Sequence, residues 1–336
     1  MNKHKNNDQL IEAAFKKLAK DFDTITPTSV NDLKPFRAFF SKEQIQTYGN
    51  SWSYIIQGVN KTGPNNLGYK YFDGENISIF SIYPKVEAPH EPVVYWIRPM
   101  GPKVIEKIDE ISTTILKDFK IPSYQKKITP LQFYRAQELG WNDVYSFKWH
   151  SESPMEDDTY PEIILDRQKT LEIVNSSTRA HQISRIKMKI DDYLSKHTIS
   201  ISDKNFEETA WKITNDFFEN KAKNKNLSIP EDYHNMIYNN PKRPEISKVI
   251  VEVDGTPQGY IITERLKDTT NIHASIAHRD LFKYLPDYCT IHVLENSTTQ
   301  YINTGGSEDL DRHLFEIKYL PIKMNQMFWA TNASKL

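Results

Sequence analysis

Residues 298–324 read TTQYINTGGSEDLDRHLFEIKYLPIKM, and the order of residue types in this stretch sets the frame for the chain. A β-type run ends at Asn303 and meets Gly305-Gly306-Ser307, where a backbone without Cβ atoms can approach a ligand closely. Glu308, Asp309, Asp311 and Arg312 follow at once, then a short helix-like stretch and a strand expected to end at Pro321. A strand, a glycine turn and a helix start leave N–H groups pointing outward, which suits an anion or a carbonyl oxygen. An acidic surface turn with Ser307 as a helix cap is the alternative reading of the same residues.

Working outward, two Asp-Gly pairs stand between apolar runs and predict β-hairpins. They are Asp73-Gly74, within YKYFDGENISIFSIYP, and Asp254-Gly255, within KVIVEVDGTPQGYIITERL. Each follows helices and feeds β segments, which suggests two α/β halves of similar plan. The period of Leu10, Ile11, Phe15, Leu18 and Phe22 predicts a first helix, and Ser41 with Gln44 a second. SWSYIIQGV and VVYWIRP read as strands, and Val104 to Phe119 returns to helical period. Thr129-Pro130 opens another helix that Gly140 ends. Helices are expected at 167–176, 178–196 and 203–224, and strands at 271–276, 289–294 and 299–303. The acidic, Pro-containing stretch 151–159 is the expected linker, dividing the chain into 1–155 and 156–336.

The chain has 336 residues, 38% hydrophobic and 26% charged, with 16 Phe, 18 Tyr and 6 Trp. That is enough apolar material for a sizeable core and excludes wholesale disorder. Lys+Arg is 43 against 44 Asp+Glu, so a globally basic nucleic-acid binder is not expected, though a local basic patch is compatible. Cys289 is the single cysteine, which excludes an internal disulfide framework and a cysteine-rich zinc site. No apolar run long enough to span a bilayer occurs, and MNKHKNNDQL lacks a signal-peptide core, so a cytoplasmic protein is expected. The scattered histidines match no metal pattern, and no Walker loop, GxSxG elbow or GxGxxG fingerprint is present.

YIN, an acidic turn, and then L-x-x-x-K-x-x-P resemble the end of the phosphatidylglycerol lysyltransferase C-terminal domain family. The positions that carry it are Asn303, Asp309, Leu314, Lys318 and Pro321. LDRQKTLEIV with TRAHQISRIKMK is similar to the family's leucine-containing helix and basic segment, with Arg185 as the counterpart of its arginine. The resemblance spans about residues 30–328. It implies an α/β fold of two tandem GNAT-like halves, related to FemABX aminoacyl transferases, with mixed twisted sheets flanked by helices. It implies an activated acyl donor as co-substrate, aminoacyl-tRNA or acyl-CoA, no permanently bound cofactor, and an amine or hydroxyl acceptor. A tRNA acceptor end is thus an expected partner.

Acyl transfer requires deprotonation of the nucleophile and stabilisation of a tetrahedral oxyanion. Asp309 is the candidate base, Arg312 or Lys318 the candidate counter-charge, and Asn303 the candidate amide donor to a carbonyl. Arg179, Arg185 and Lys189 form a basic stripe that could hold donor phosphates together with Gly305 and Gly306; a solvated helix face is the plainer reading. The glycine-rich coenzyme A loop is expected near ERLKDTTNIHA, which has no glycine, and this disfavours an ordinary acyl-CoA enzyme. Phe315 stands where the family has an arginine, the feature that favours a non-catalytic GNAT-like binding protein.

Overall fold

The computed structural model describes residues 2–28, 36, 38–39, 47, 49, 51, 68–83, 92–144, 159–178, 180–222, 231–238, 243–307 and 309–335. The expected helix at Ser41, the strand SWSYIIQGV beyond Ser51 and the acidic stretch through residue 158 lie outside these residues.

The chain forms two compact units. The first holds Met1–Pro161 with Gly306–Asp309 and Gln326–Leu336; the second holds Glu162–Gly305 with Leu310–Asn325. The first unit begins with α1 (Asn2–Asp21), β1 (Ile25–Pro27), β2 (Gly68–Phe72), β3 (Ile77–Tyr83) and β4 (Val93–Met100). It continues through α2 (Val104–Phe119), β5 (Ser123–Ile128), α3 (Pro130–Glu138) and β6 (Asn142–Asp143). The second unit runs β7 (Glu162–Asp166), α4 (Arg167–Val174), α5 (Gln182–Leu194), β8 (Ile199–Ser202), α6 (Phe206–Ala222) and α7 (Glu231–Tyr238). Then come β9 (Ile246–Val253), β10 (Thr256–Leu266), β11 (Thr269–Ala277), α8 (Leu285–Asn296), β12 (Tyr301–Asn303), α9 (Leu310–Ile317) and β13 (Lys323–Asn325). The last strand, β14 (Phe328–Thr331), returns to the first sheet.

The two sheets repeat one plan. The first has the order β1-β2-β3-β4-β5-β14-β6 and the second, read from its other edge, β8-β9-β10-β11-β12-β7-β13. Antiparallel hairpins lead in both cases to one parallel pair, β4 with β5 and β11 with β12. A helix crosses between the strands of each parallel pair, as parallel strands require: α2 in the first half and α8 in the second. Both Asp-Gly hairpins take the corresponding place, β2–β3 and β9–β10. Asp254 (φ 49°) and Gly255 (φ 76°) both adopt left-handed backbone, the two-residue turn that matches the strand twist.

Apolar spacing explains the packing. The buried stripe of α2, Ile108, Ile111 and Ile115, meets Ile11, Phe15 and Leu18 of α1 and Phe80 and Trp96 of the sheet. Trp96 Nε1 donates to Ser112 Oγ at 2.9 Å, so the ring is buried with its polar atom satisfied. Truncating Ile108, fully buried here, to Ala is expected to cost about 2–5 kcal/mol. In the second unit Ile183, Ile186 and Ile190 of α5 and Leu285 and Cys289 of α8 belong to one core with Ile163 and Ile302. Phe206, Ala210 and Ile213 of α6 belong to another core with Tyr260, Ile262 and Ala274.

Three expectations are corrected. Residues 289–294 are not a strand but the middle of α8. Their β-branched run reads as strand, yet Leu285, Cys289, Ile291, Val293 and Leu294 are all buried, so the helical period is hidden and tertiary packing overrides local preference. Pro286 at the helix start and Asp287 in its first turn are the sequence signals that mark it. The strand near Pro321 begins beyond the proline, at Lys323, because Leu320 turns the chain with φ 59°. ERLKDTTNIHA is the β10–β11 hairpin, turning at Lys267 (φ 50°), rather than a strand-to-helix loop. The connection equivalent to such a loop is 278–284, which also lacks glycine but carries Arg279 and Lys283.

Candidate functional site

The second half leaves the start of α8 unsealed. The Tyr284 side chain makes no capping bond, the Leu285 N–H turns back to Phe282 O at 3.0 Å, and Pro286 has no N–H. A cavity of about 510 Å³ opens beside this helix start, between α5, the 278–284 connection and the residues that end α9. Arg185 and Lys189, one turn apart on α5, line it together with Arg279, Lys283, Asp287 and Lys318. Among the described residues five cations thus face one carboxylate beside a helix N-terminus, an arrangement that attracts anions through both fixed charge and helix dipole.

The cavity floor is a buried polar group. Lys318 Nζ pairs with Asp287 Oδ1, and both side chains are largely buried. The Tyr319 hydroxyl donates to the same Asp287 oxygen at 2.9 Å. Lys318 Nζ also lies 3.6 Å from the centre of the Phe315 ring, within cation–π range. Burial holds the Lys318 pKa below the usual lysine value, the Asp287 charge opposes that shift, and the like charge of Arg279 adds to it. Burial and Asp287 together push the Tyr319 hydroxyl well above the ordinary tyrosine range. Cys289, fully buried one turn into α8, has its thiol pushed up to about 12 by burial, which makes it an inert core residue.

The sequence-derived candidates fall into distinct places. Arg185, Lys189 and Lys318 come together at this cavity, although more than a hundred residues of chain separate the first two from the third. Arg179 lies outside the described residues. Asn303 is fully buried; its Nδ2 donates to Glu162 Oε2 at 3.0 Å and its Oδ1 accepts from Gly305 N at 2.8 Å. Its amide therefore fixes the turn after β12. Gly305 (φ 88°) serves the same turn, and its carbonyl accepts from Ile163 N at 3.0 Å; Gly306 is buried beside it in sequence. Asp309 is exposed ahead of α9, and its N–H donates to Ser307 Oγ at 2.8 Å. Arg312 Nε pairs with Glu316 Oε1 at 3.1 Å on α9. Asn303, Gly305, Gly306, Asp309 and Arg312 do not line the cavity.

Arg279, Lys283 and Asp287 were not singled out from the sequence, because the helix that places them was read as a strand. The Pro-Asp pair at 286–287 with cations three to seven residues upstream is the signal that would have found them.

Comparison with known proteins gives this geometry its setting. No family profile matches the sequence, and no curated protein matches it. Solved structures do. A conserved protein of unknown function from Bacteroides thetaiotaomicron is 10% identical with a TM-score of 0.67, over 91% of this chain and 98% of that one. FemX is 11% identical with a TM-score of 0.57, over 91% and 96%. L-PGS from Bacillus licheniformis is 10% identical with a TM-score of 0.51, over 88% and 90%. The fold is therefore tandem GNAT-like, two mixed sheets flanked by helices. The resemblance read from the C-terminal residues has its counterpart in that shared fold.

Proposed function

We propose that this chain is an acyltransferase of the aminoacyl-transferase kind. It would take an acyl group from an activated, phosphate-bearing donor and pass it to an amine or hydroxyl by direct attack. The cationic cavity at the open start of α8 carries the reading, because it combines phosphate-compatible charge with a helix N-terminus. The fold shared with FemX and L-PGS supports it. The glycine-free 278–284 connection favours an aminoacyl donor over acyl-CoA, since a backbone cradle for a pyrophosphate relies on glycines.

In this reading the acceptor lone pair attacks the donor carbonyl carbon. The new C–N or C–O bond forms, the bond to the leaving oxygen or sulfur breaks, and the acceptor proton leaves to a base. Arg185, Lys189, Arg279 and Lys283 hold the donor phosphates, and Lys318 donates to the carbonyl oxygen as it becomes an oxyanion. Asp309, ahead of α9, is the base in this reading. Asp309→Asn keeps the shape of the turn, and transfer about 100-fold slower with unchanged melting temperature is the result that assigns Asp309 the base role.

The direct test is calorimetry with a non-hydrolysable 3′-aminoacylamino-adenosine 5′-phosphate analogue and, separately, coenzyme A. The aminoacyl analogue is expected to bind the native chain more tightly, and Arg185→Ala to weaken it about tenfold without moving the melting temperature. Equal binding of the analogue to native and Arg185→Ala protein overturns the assignment of the cavity, and tighter binding of coenzyme A replaces the aminoacyl donor with the thioester one.

A further inference from the structure

Charge in the cavity changes from mouth to floor. Arg185, Lys189, Arg279 and Lys283 stand exposed around the mouth and carry four positive charges. Lys318 and Asp287 lie deeper, with side chains 9% and 7% exposed, and their charges cancel. Among the described residues that line the cavity Asp287 is the one carboxylate, and it offsets the Lys318 charge at the floor. The floor is also held in place: Tyr319 OH bonds Asp287 Oδ1 at 2.9 Å, and the Phe315 ring lies against the Lys318 ammonium.

The two depths therefore favour different chemical groups. A phosphate at the mouth meets the exposed Lys189, Arg279 and Lys283 beside Arg185. At the floor the same phosphate would face the Asp287 carboxylate in a poorly solvated position, where like charges repel most strongly. A carbonyl oxygen carries no net charge and accepts a hydrogen bond from Lys318 without that repulsion.

We infer that Asp287 is a specificity-determining residue that orients the donor: by neutralising Lys318 it keeps phosphates at the mouth and reserves the floor for the uncharged acyl carbonyl. The inference rests on the donor-cavity reading and deepens it. Without Asp287 the floor carries an unmasked cation, Lys318, and a polyanion gains a second, deeper seat in which the acyl group faces the wrong way.

The experiment is calorimetric binding of inorganic pyrophosphate to the full chain, as native protein, Asp287→Asn, Lys318→Met, the double variant and Arg279→Ala. Asparagine keeps an acceptor for the Tyr319 hydroxyl, so the change is one of charge. Asp287→Asn is expected to bind pyrophosphate about tenfold more tightly than native protein. The double variant should return to within about threefold of native affinity, because the unmasked cation is gone. It should also bind more tightly than Lys318→Met, which leaves a bare carboxylate on the floor; that comparison stands even if Asp287→Asn alone folds poorly. Native binding that is lost in Arg279→Ala, with Asp287→Asn no tighter and the double variant equal to Lys318→Met, overturns the orienting role and leaves the cavity assignment intact. Pyrophosphate binding absent in native protein, or indifferent to Arg279→Ala, overturns both.

Discussion

The two halves share a strand order yet treat one place in opposite ways. In the first half the residue ahead of α2 is tied to the hairpin, although Lys103, like Tyr284 at α8, makes no side-chain capping bond. Asn76, in the loop of the first hairpin, accepts from Lys103 N at 2.8 Å through its side-chain oxygen and donates Nδ2 to Asp73 Oδ2 at 3.0 Å. Asp73 in turn accepts from the backbone N–H groups of Glu75 and Asn76 at 2.9 and 2.7 Å, and from the Tyr71 hydroxyl. Burial raises the Asp73 pKa, but these hydrogen bonds outweigh it and bring the carboxyl to about 2. Gly101 lets the two segments touch: its φ is 117°, and a Cβ there would lie 2.4 Å from Glu75 O. In the second half the hairpin turn is two residues long, and Asp254 caps Thr198 N at 2.9 Å instead. The equivalent helix start is left uncapped beside five cations. One frame thus carries a helix start tied to its hairpin and another that lines a cationic cavity, which is why function has to be argued from the site and not from the fold.

Substitutions in the two places should separate stability from binding. Gly101→Val should be the most damaging, costing about 3 kcal/mol or more through the left-handed backbone and the clash with Glu75, as read by chemical denaturation. Pyrophosphate affinity of the folded fraction should stay within about twofold, because the second unit is untouched. Asn76→Ala should cost about 1–3 kcal/mol by leaving the Lys103 N–H without its partner and removing the side-chain amide bonds to the Asp73 carboxylate. Arg279→Ala should do the reverse, weakening pyrophosphate about tenfold while stability changes by less than about 0.5 kcal/mol. A loss of anion binding in Asn76→Ala equal to that in Arg279→Ala would erase the distinction between the halves.

A pH series sharpens the same contrast. Burial lowers the Lys318 pKa in the folded protein, while the unfolded chain titrates at the ordinary lysine value. Between those two values the unfolded chain binds more protons, so the cost of burying the charged amine is full at lower pH and stability rises with pH through that window. Anion affinity should fall as pH climbs through the lowered value, and Lys318→Arg should remove that fall because arginine stays charged. The smallest change is expected from Phe315→Leu, which removes the ring under Lys318 and should alter pyrophosphate affinity by about threefold.

How much of this was legible in the sequence follows from where each signal sits. Both Asp-Gly hairpins and α2 were readable because turn chemistry and apolar period are local properties. The start of α3 at Thr129-Pro130 was equally plain, and the structure adds a capping box there: Thr129 Oγ1 accepts from Gln132 N, and the Gln132 side chain reaches back to Thr129 N at 3.0 Å. Helix α8 was not readable, since a helix buried on several sides shows no amphipathic stripe. Losing α8 hid Arg279, Lys283 and Asp287, so the basic stripe of α5 looked like a solvated surface with no partner across from it. Lys318 was found only through family resemblance, because nothing local distinguishes it from other lysines. The tie between Asn76 and Lys103 escaped notice because sequence spacing does not reveal such a pairing.

The central claim is that the open end of α8 holds the donor with its phosphates outward and its acyl carbonyl inward. Diffraction from crystals of the full chain grown with the non-hydrolysable aminoacylamino-adenosine 5′-phosphate analogue tests it most directly. The account predicts phosphate density among Arg185, Lys189, Arg279 and Lys283, and the amide carbonyl oxygen within hydrogen-bond distance of Lys318 Nζ. Phosphate density on Lys318, or analogue bound at the start of α2 with the second-half cavity empty, would contradict it.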